Sequence, residues 1–227
     1  MRCSFFVGVI RLITEYGYDV FFTITALCII IAVGACFLVE IAILKYALII
    51  FAITFELFSL NFFRDPLRTT PSGDGLVISP ADGTVVAIKN VVEPNYMQSE
   101  AVQISIFMSP LDVHINRIPI SGNVGYYKYV KGEYFAAFED KSSLKNEQTH
   151  IGVDNGKHRV FFKQIAGFVA RRIVCRLAQG DLVTAGEKFG MIKFGSRVDV
   201  FVPKNSDIKV QMNDKTVGGE TVLAIVL

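Results

Sequence analysis

The Gly195–Ser196 step is the pair of residues whose chemistry would be most distinctive in this sequence. It lies between an apolar run, residues 189–194, and an alternating run, residues 197–202, which predicts two strands with a sharp bend between them. Glycine reaches backbone conformations closed to other residues, so the bend can present the Gly195 carbonyl to the Ser196 hydroxyl. Attack by that hydroxyl would replace the amide with an ester. Elimination would then cut the chain and leave a pyruvoyl group, a carbonyl that can react with an amine.

A Gly–Ser dipeptide alone is a weak signal, because a glycine bend followed by an ordinary strand serine is far commoner. Two further residues could support the chemistry. Asp82 stands in an Asp–Gly turn between two strand-like runs, so it is either a turn residue or a carboxylate that orients a neighbouring base. His114 lies among turn and apolar residues, and a histidine there is either a hydrogen-bonded structural residue or a group for proton transfer.

Two other segments permit both a functional and a plain structural interpretation. Residues 138–148 are typical of a solvated loop. They could also present Lys141, Ser143 and Asn146 to a phosphate, although their spacing matches no phosphate-loop pattern. Residues 180–187 predict two strands joined at turn glycines, as in the hairpins of biotinyl and lipoyl carrier domains. Lys193 would then be the carrier lysine, and the protein a membrane-tethered adaptor or carrier without enzymatic activity.

The apolar residues are concentrated at the N-terminus. Residues 20–39 contain no charge and would span about 30 Å as a helix, roughly the thickness of the hydrocarbon layer. A second apolar run, residues 46–63, is interrupted by Glu56, a residue that is costly in hydrocarbon. The pattern predicts a helical hairpin with its turn at residues 40–45, either spanning the membrane or lying in the interface.

Positive charges flank this hairpin and predict its orientation. Arg2 and Arg11 precede it, and Arg64 and Arg68 follow it, which places both ends on the cytoplasmic side of the inner membrane. We therefore expect a membrane anchor at residues 1–63 and a cytoplasmic domain at residues 64–227.

The second part of the chain is predicted to be mainly β, as a β-rich single domain with short helices. Short strand-like segments are separated by Gly, Pro, Asn and Asp, and only residues 110–114 and 140–146 suggest short helices. A formal charge of +2 and the absence of a basic motif argue against a nucleic-acid partner. The histidine and cysteine spacings match no metal site, which also argues against a membrane metallopeptidase. The predicted strands are residues 76–79, 84–92, 102–108, 122–130, 159–165, 173–177, 188–194, 197–202, 208–212 and 221–227.

Taken together, five segments resemble the phosphatidylserine decarboxylase proenzymes in their short form with a hydrophobic N-terminal anchor. The resemblance covers residues 63–227, and its motifs stand in the family's order. They are Phe-Arg-Asp-Pro at 63–66, Ser-Pro-Ala-Asp-Gly at 79–83, Ser-Pro-Leu-Asp-Val-His at 109–114, Asn-Glu at 146–147 and Phe-Gly-Ser at 194–196.

The resemblance implies a self-processing lyase that converts phosphatidylserine into phosphatidylethanolamine and carbon dioxide in bacterial phospholipid synthesis. Its cofactor would be a covalent pyruvoyl group made from Ser196. The cut at Gly195–Ser196 would give a large subunit, residues 1–195, and a small subunit, residues 196–227. The resemblance assigns Asp82 to self-cleavage and His114 to decarboxylation, with a membrane phospholipid as substrate and a homo-oligomer as the expected assembly.

The chain departs from longer relatives at one informative position. They carry a second histidine three residues after the first, usually assigned as the base of self-cleavage, where this chain has Arg117. Either Asp82 and His114 serve both steps, or another group replaces the missing base. Arg117 could instead hold the lipid phosphate, or it could be an ordinary surface arginine.

Overall fold

The computed structural model describes residues 12–132, 146–167, 172–193 and 196–227. The chain divides into two compact units, Met1–Pro66 and Leu67–Leu227. The first is helical and the second is built from strands, so the predicted β-rich class with an N-terminal helical hairpin is confirmed.

Two long apolar helices form the first unit. A short 3-10 helix, Glu15–Gly17, leads into α1, Tyr18–Leu38, and α2 follows at Ala42–Phe62. Both helices are long and apolar enough to cross a membrane, and their side chains are largely exposed along their length. An apolar surface of this extent is typical of a lipid-facing helix.

Contacts at the base and in the middle hold this hairpin together. The Thr14 amide donates to the Phe63 carbonyl oxygen at 2.8 Å, so the entering and leaving segments lie side by side. Between the helices, the Thr25 hydroxyl donates to Glu56 Oε1 at 2.8 Å, which gives the Glu56 carboxylate a hydrogen-bond partner. The turn predicted near residues 40–45 is shorter and begins earlier, because α1 ends at Leu38, α2 begins at Ala42 and Lys45 lies in the first turn of α2.

Antiparallel strands form the second unit. The largest sheet has eight strands in the order β13-β2-β3-β11-β7-β6-β5-β9, and two three-stranded sheets have the orders β1-β14-β12 and β4-β10-β8. The strands are β1 (Leu76–Ile78), β2 (Gly83–Glu93), β3 (Ser99–Met108), β4 (Ile115–Arg117), β5 (Gly122–Val130), β6 (Gln148–Asp154), β7 (Arg159–Ala166), β8 (Ile173–Cys175), β9 (Leu182–Val183), β10 (Lys188–Ile192), β11 (Ser196–Pro203), β12 (Asp207–Ile208), β13 (Lys215–Thr216) and β14 (Val222–Ile225).

Strand β11 lies near the centre of the large sheet, paired with β3 on one side and β7 on the other. Side chains alternate along a strand, so β11 presents two different faces. Val198, Val200 and Val202 enter the main apolar core, while Arg197 and Asp199 are buried on the opposite face. The burial of both faces explains why β11 has almost no exposed residue.

Nine of the ten predicted strands have counterparts in the structure, the strand predicted at 208–212 is a strand only at Ile208, and the short helix predicted at residues 110–114 is wrong. The Asp112 amide donates to the Ser109 carbonyl oxygen at 2.9 Å, which closes a turn with Pro110 at its second position, where proline is favoured. The Asp112 carboxylate also accepts from the Ser109 amide at 2.7 Å. The helix predicted at residues 140–146 lies outside the described residues except for Asn146.

Candidate active site

Ser196 is the first residue of β11 and is completely buried. It lies opposite Met108 on β3 and Ala166 on β7, so the sheet fixes its backbone from both sides. Its hydroxyl donates to the Met108 sulfur at 3.3 Å. A thioether is a weak acceptor, so little hydrogen-bond energy would be lost if this hydroxyl turned to attack a carbonyl. Gly195 lies outside the described residues, and the predicted glycine bend stays a prediction.

His114 immediately precedes β4, which pairs with β10. The Ile192 amide at the end of β10 donates to the His114 carbonyl oxygen at 3.4 Å. This contact attaches the histidine to the strand that leads toward Ser196. The imidazole is fully buried, and its Nδ1 lies 2.9 Å from the Asp112 carbonyl oxygen. Because that oxygen can only accept, Nδ1 carries the proton, and Nε2 of a neutral ring is the basic nitrogen.

Asp82 lies at the start of β2 and takes part in a different set of contacts. One carboxylate oxygen binds Arg68 Nη2 at 2.7 Å, and the other accepts from the Gly218 amide at 2.7 Å. Strand β3 lies between β2 and β11, so Asp82 and Ser196 are about two strand spacings apart, or roughly 10 Å.

The three predicted substrate-binding residues occupy different places. Asn146 donates to the Ala166 carbonyl oxygen at 2.6 Å, and Ala166 is the residue opposite Ser196 on β7. Arg117 donates from Nη1 to the Gly186 carbonyl oxygen at 2.9 Å, so one of its donors is already used within the domain. Lys141 lies outside the described residues.

A buried polar chain beside Ser196 was missed by sequence reasoning. The Thr149 hydroxyl donates to Gln164 Oε1 at 2.6 Å, and Gln164 Nε2 donates to Asn116 Oδ1 at 2.8 Å. Asn116 Nδ2 then reaches the Met108 sulfur at 3.7 Å, the atom that the Ser196 hydroxyl also contacts. Thr149 and Gln164 are paired across β6 and β7, whereas Asn116 lies on β4 in a different sheet and reaches Gln164 through the packing of the two sheets. The three residues are far apart in the sequence, so no local pattern signalled the chain.

The structure contradicts the carrier alternative. Lys193 is 5% exposed and follows β10, whereas a carrier lysine must be reachable at a tight turn. The hairpin predicted at residues 180–187 is also wrong. Strand β9 pairs with β5, and β10 pairs with β4 and β8. Over the ranges that the structure describes, no group of three or more His, Cys, Asp or Glu side chains could hold a metal ion.

Comparison with known proteins identifies relatives over most of the chain. The family model described as phosphatidylserine decarboxylase matches residues 55–224. A phosphatidylserine decarboxylase proenzyme of Chlorobium chlorochromatii is 46% identical over 212 residues, covering 93% of this chain and 99% of the relative. The phosphatidylserine decarboxylase proenzyme of Chlorobium limicola is 42% identical, and the match covers 94% of this chain and 99% of the relative. The phosphatidylserine decarboxylase proenzyme of Amoebophilus asiaticus is 50% identical, and the match covers 74% of this chain and 75% of the relative.

Proposed function

Because the chain belongs to the phosphatidylserine decarboxylase family, we propose that it removes the headgroup carboxylate of phosphatidylserine to give phosphatidylethanolamine and carbon dioxide. The cofactor is a pyruvoyl group that the chain makes from its own Ser196. The observation that carries the proposal is the complete burial of Ser196 at the first position of the central strand, in a chain of this family. The activity would serve bacterial phospholipid synthesis.

Maturation begins with Ser196 Oγ, which attacks the Gly195 carbonyl carbon. The new C–O bond replaces the peptide C–N bond, and the hydroxyl proton ends on the Ser196 nitrogen, so the amide becomes an ester. Loss of the Ser196 Cα proton then breaks the Cβ–Oγ bond and releases Gly195 as a carboxylate. The resulting dehydroalanine gains a proton at Cβ and becomes an imine. Water then replaces the imine nitrogen, which leaves as ammonia, so the small subunit begins with the pyruvoyl group.

The surroundings of Ser196 fit such a group. Conversion replaces a buried hydroxymethyl group with a methyl and a keto carbon, and the neighbouring side chains are those of Met108 and Ala166. A methyl group packs against a thioether without leaving a buried hydroxyl poorly partnered. The pyruvoyl carbonyl supplies an electron sink for the pair released when carbon dioxide leaves.

His114 has the properties required to move a proton during decarboxylation. It is buried, its orientation is fixed by Asp112, and its Nε2 is the basic nitrogen of the neutral ring. A fixed imidazole of this kind suits general acid–base catalysis. We assign Asp82 to self-cleavage, and its carboxylate is held by the Arg68 guanidinium at 2.7 Å. Arg117 stands where longer relatives have a second histidine, so that histidine cannot be the maturation base here.

The remaining assignments concern the lipid and the subunits. Residues 1–63 anchor the chain, and residues 64–227 form the decarboxylase domain on the cytoplasmic face of the inner membrane. A tether at the leaflet that holds the substrate removes a search in three dimensions. The candidates for binding the lipid headgroup stay Asn146, Lys141 and Arg117. Cleavage gives a large subunit, residues 1–195, and a small subunit, residues 196–227. A homo-oligomeric assembly stays a prediction.

A gel and an activity assay test the proposed function. The wild-type chain should separate into a large and a small fragment, whereas Ser196→Ala should stay uncut and release no carbon dioxide from phosphatidylserine. Ser105→Ala is the matched control, because Ser105 is also a buried serine of the same sheet, on β3. It should still be cut. A cut Ser196→Ala chain, or an active uncut wild-type chain, would refute the proposal.

A further inference from the structure

The buried chain of Thr149, Gln164 and Asn116 has an unambiguous direction. Gln164 Oε1 can only accept, so the Thr149 hydroxyl donates to it at 2.6 Å and leaves Gln164 Nε2 as the donor to Asn116 Oδ1. With its oxygen occupied in this way, the Asn116 amide must point its nitrogen the other way. Thr149 therefore fixes the orientation of Asn116 through Gln164.

The contacts of the Asn116 nitrogen are poor for so buried a donor. Asn116 is 0% exposed, yet its Nδ2 reaches only the Pro80 carbonyl oxygen at 3.5 Å and the Met108 sulfur at 3.7 Å. Both contacts are long, and sulfur is a weak acceptor. A buried N–H donor with only weak acceptors can form a much stronger hydrogen bond when a negatively charged oxygen comes within hydrogen-bond distance.

Ser196 carries the oxygen that becomes charged during maturation. Its Oγ and the Asn116 Nδ2 contact the same sulfur atom, that of Met108. During maturation this oxygen is first a hydroxyl oxygen, then an ester oxygen, and finally an oxygen of the departing Gly195 carboxylate. Negative charge develops on it as the Cβ–Oγ bond breaks.

We propose that Asn116 is a catalytic residue of self-cleavage, which donates a hydrogen bond to the former Ser196 oxygen as it leaves as a carboxylate. Gln164 and Thr149 are positioning residues that hold the amide in the donating orientation. The assignment rests on the proposed function, since it needs the chain to cut itself. It concerns the elimination step, not the formation of the ester.

The test follows maturation of freshly synthesised chains with and without hydroxylamine, which cleaves esters but not ordinary peptide bonds. Asn116→Asp keeps the shape of the side chain but replaces the donor with a repelling oxygen. Loss of one such donor typically slows a reaction by about 100-fold or more. We expect Asn116→Asp to stay uncut in buffer and to be cut by hydroxylamine, with the small fragment beginning at an unmodified Ser196.

Two positioning variants keep the test decisive if Asn116→Asp fails to fold. Thr149→Val is nearly isosteric, and Gln164→Met removes both amide contacts, so each should slow maturation roughly 10-fold and add the same hydroxylamine-sensitive chain. Thr149→Val should have no additional effect in the Asn116→Asp background. Asn123→Asp, an exposed asparagine on β5, is the matched control and should mature at the wild-type rate.

Each outcome separates this inference from the proposed function. Wild-type chain should give some hydroxylamine product, which shows that the reagent reaches the ester. If Asn116→Asp matures at the wild-type rate, or folds but resists both elimination and hydroxylamine, the inference is overturned while self-cleavage stands. If the wild-type chain is never cut, the proposed function itself fails.

Discussion

The two faces of strand β11 differ in how well their polar groups are partnered. On the face away from the main core, Arg197 Nε binds Asp199 Oδ1 at 2.6 Å, and Arg197 Nη2 donates to the Ser105 hydroxyl at 2.8 Å. Gln103 donates to both Ser105 and Asp199. On the core face, the Ser196 hydroxyl has a thioether as its acceptor. The strongly partnered face suits a structural role, and the weakly partnered face suits a group that must react.

A lysine and a histidine extend the polar face across the neighbouring strands. Lys163 lies opposite Asp199 on β7, and its ammonium stands 5.1 Å from the centroid of the Phe201 ring. Burial lowers the pKa of Lys163, an effect that the charges of Asp199 and Glu93 oppose. His150 lies opposite Lys163 on β6. Charge on this face is therefore balanced within the domain.

The largest expected effect is a loss of decarboxylase activity when His114, near the core face of β11, is replaced. His114→Gln keeps a polar side chain but removes the titrating ring, and the loss of general acid–base catalysis should lower kcat by roughly 100- to 10,000-fold. The chain should still be cut, as a gel of the purified protein would show. Full activity would remove His114 from the mechanism, and an uncut chain would assign it to both steps.

Disruption of the polar face should instead cost stability. Asp199→Ala leaves the 3% exposed Arg197 without its carboxylate, and an uncompensated buried charge typically costs about 3–5 kcal/mol in the free energy of unfolding. Urea denaturation measures this loss. Replacing both residues, Arg197→Met with Asp199→Leu, should restore most of it, because two apolar side chains leave no charge behind. A double variant as unstable as Asp199→Ala would contradict this account.

Features that depend on residues close together in the sequence could be predicted, whereas contacts between distant segments could not. The helical hairpin and most strands follow from apolar runs and periodicity, and Ser196, His114 and Asp82 stand in local motifs. The contacts of Asn116 could not be predicted, because Gln164 lies on β7 in a different sheet and is itself held by Thr149 through the pairing of β6 with β7. The helix predicted at residues 110–114 failed because a turn closed by Asp112 competes with it.

A moderate, pH-dependent loss of stability is expected on the polar face, where His150 titrates. Burial, together with the charges of Lys163 and Lys128, lowers the pKa of His150 from 6.5 to about 4, while Glu93 opposes the shift. The unfolded chain then binds more protons, so stability is full above pH 6.5 and falls as the pH drops toward 4. The loss should reach roughly 3 kcal/mol.

His150→Phe should flatten this pH dependence, as thermal melts between pH 7 and pH 4 would show. Phenylalanine keeps the contact with Phe161, whose ring centroid lies 5.7 Å from that of His150, but it cannot titrate. Lys128→Met, which removes one of the nearby cations, should move the transition to higher pH. An unchanged profile in His150→Phe would show that other groups cause the acid sensitivity.

The smallest effect is expected at the solvent-exposed end of strands β3 and β11. Lys204 and Glu100 form an ion pair at 2.8 Å, but their side chains are 57% and 65% exposed. Solvent screens such a pair, so Lys204→Met should change the free energy of unfolding by less than about 1 kcal/mol. A loss as large as that of Asp199→Ala would show that burial is not what distinguishes the two pairs.

The intact mass of the purified wild-type chain tests the central claim most directly. Self-cleavage predicts two fragments, residues 1–195 and 196–227, with the small one lighter by one ammonia than a peptide that begins with an unmodified serine. Active protein that is still one continuous 227-residue chain, with an ordinary serine at position 196, would contradict the account.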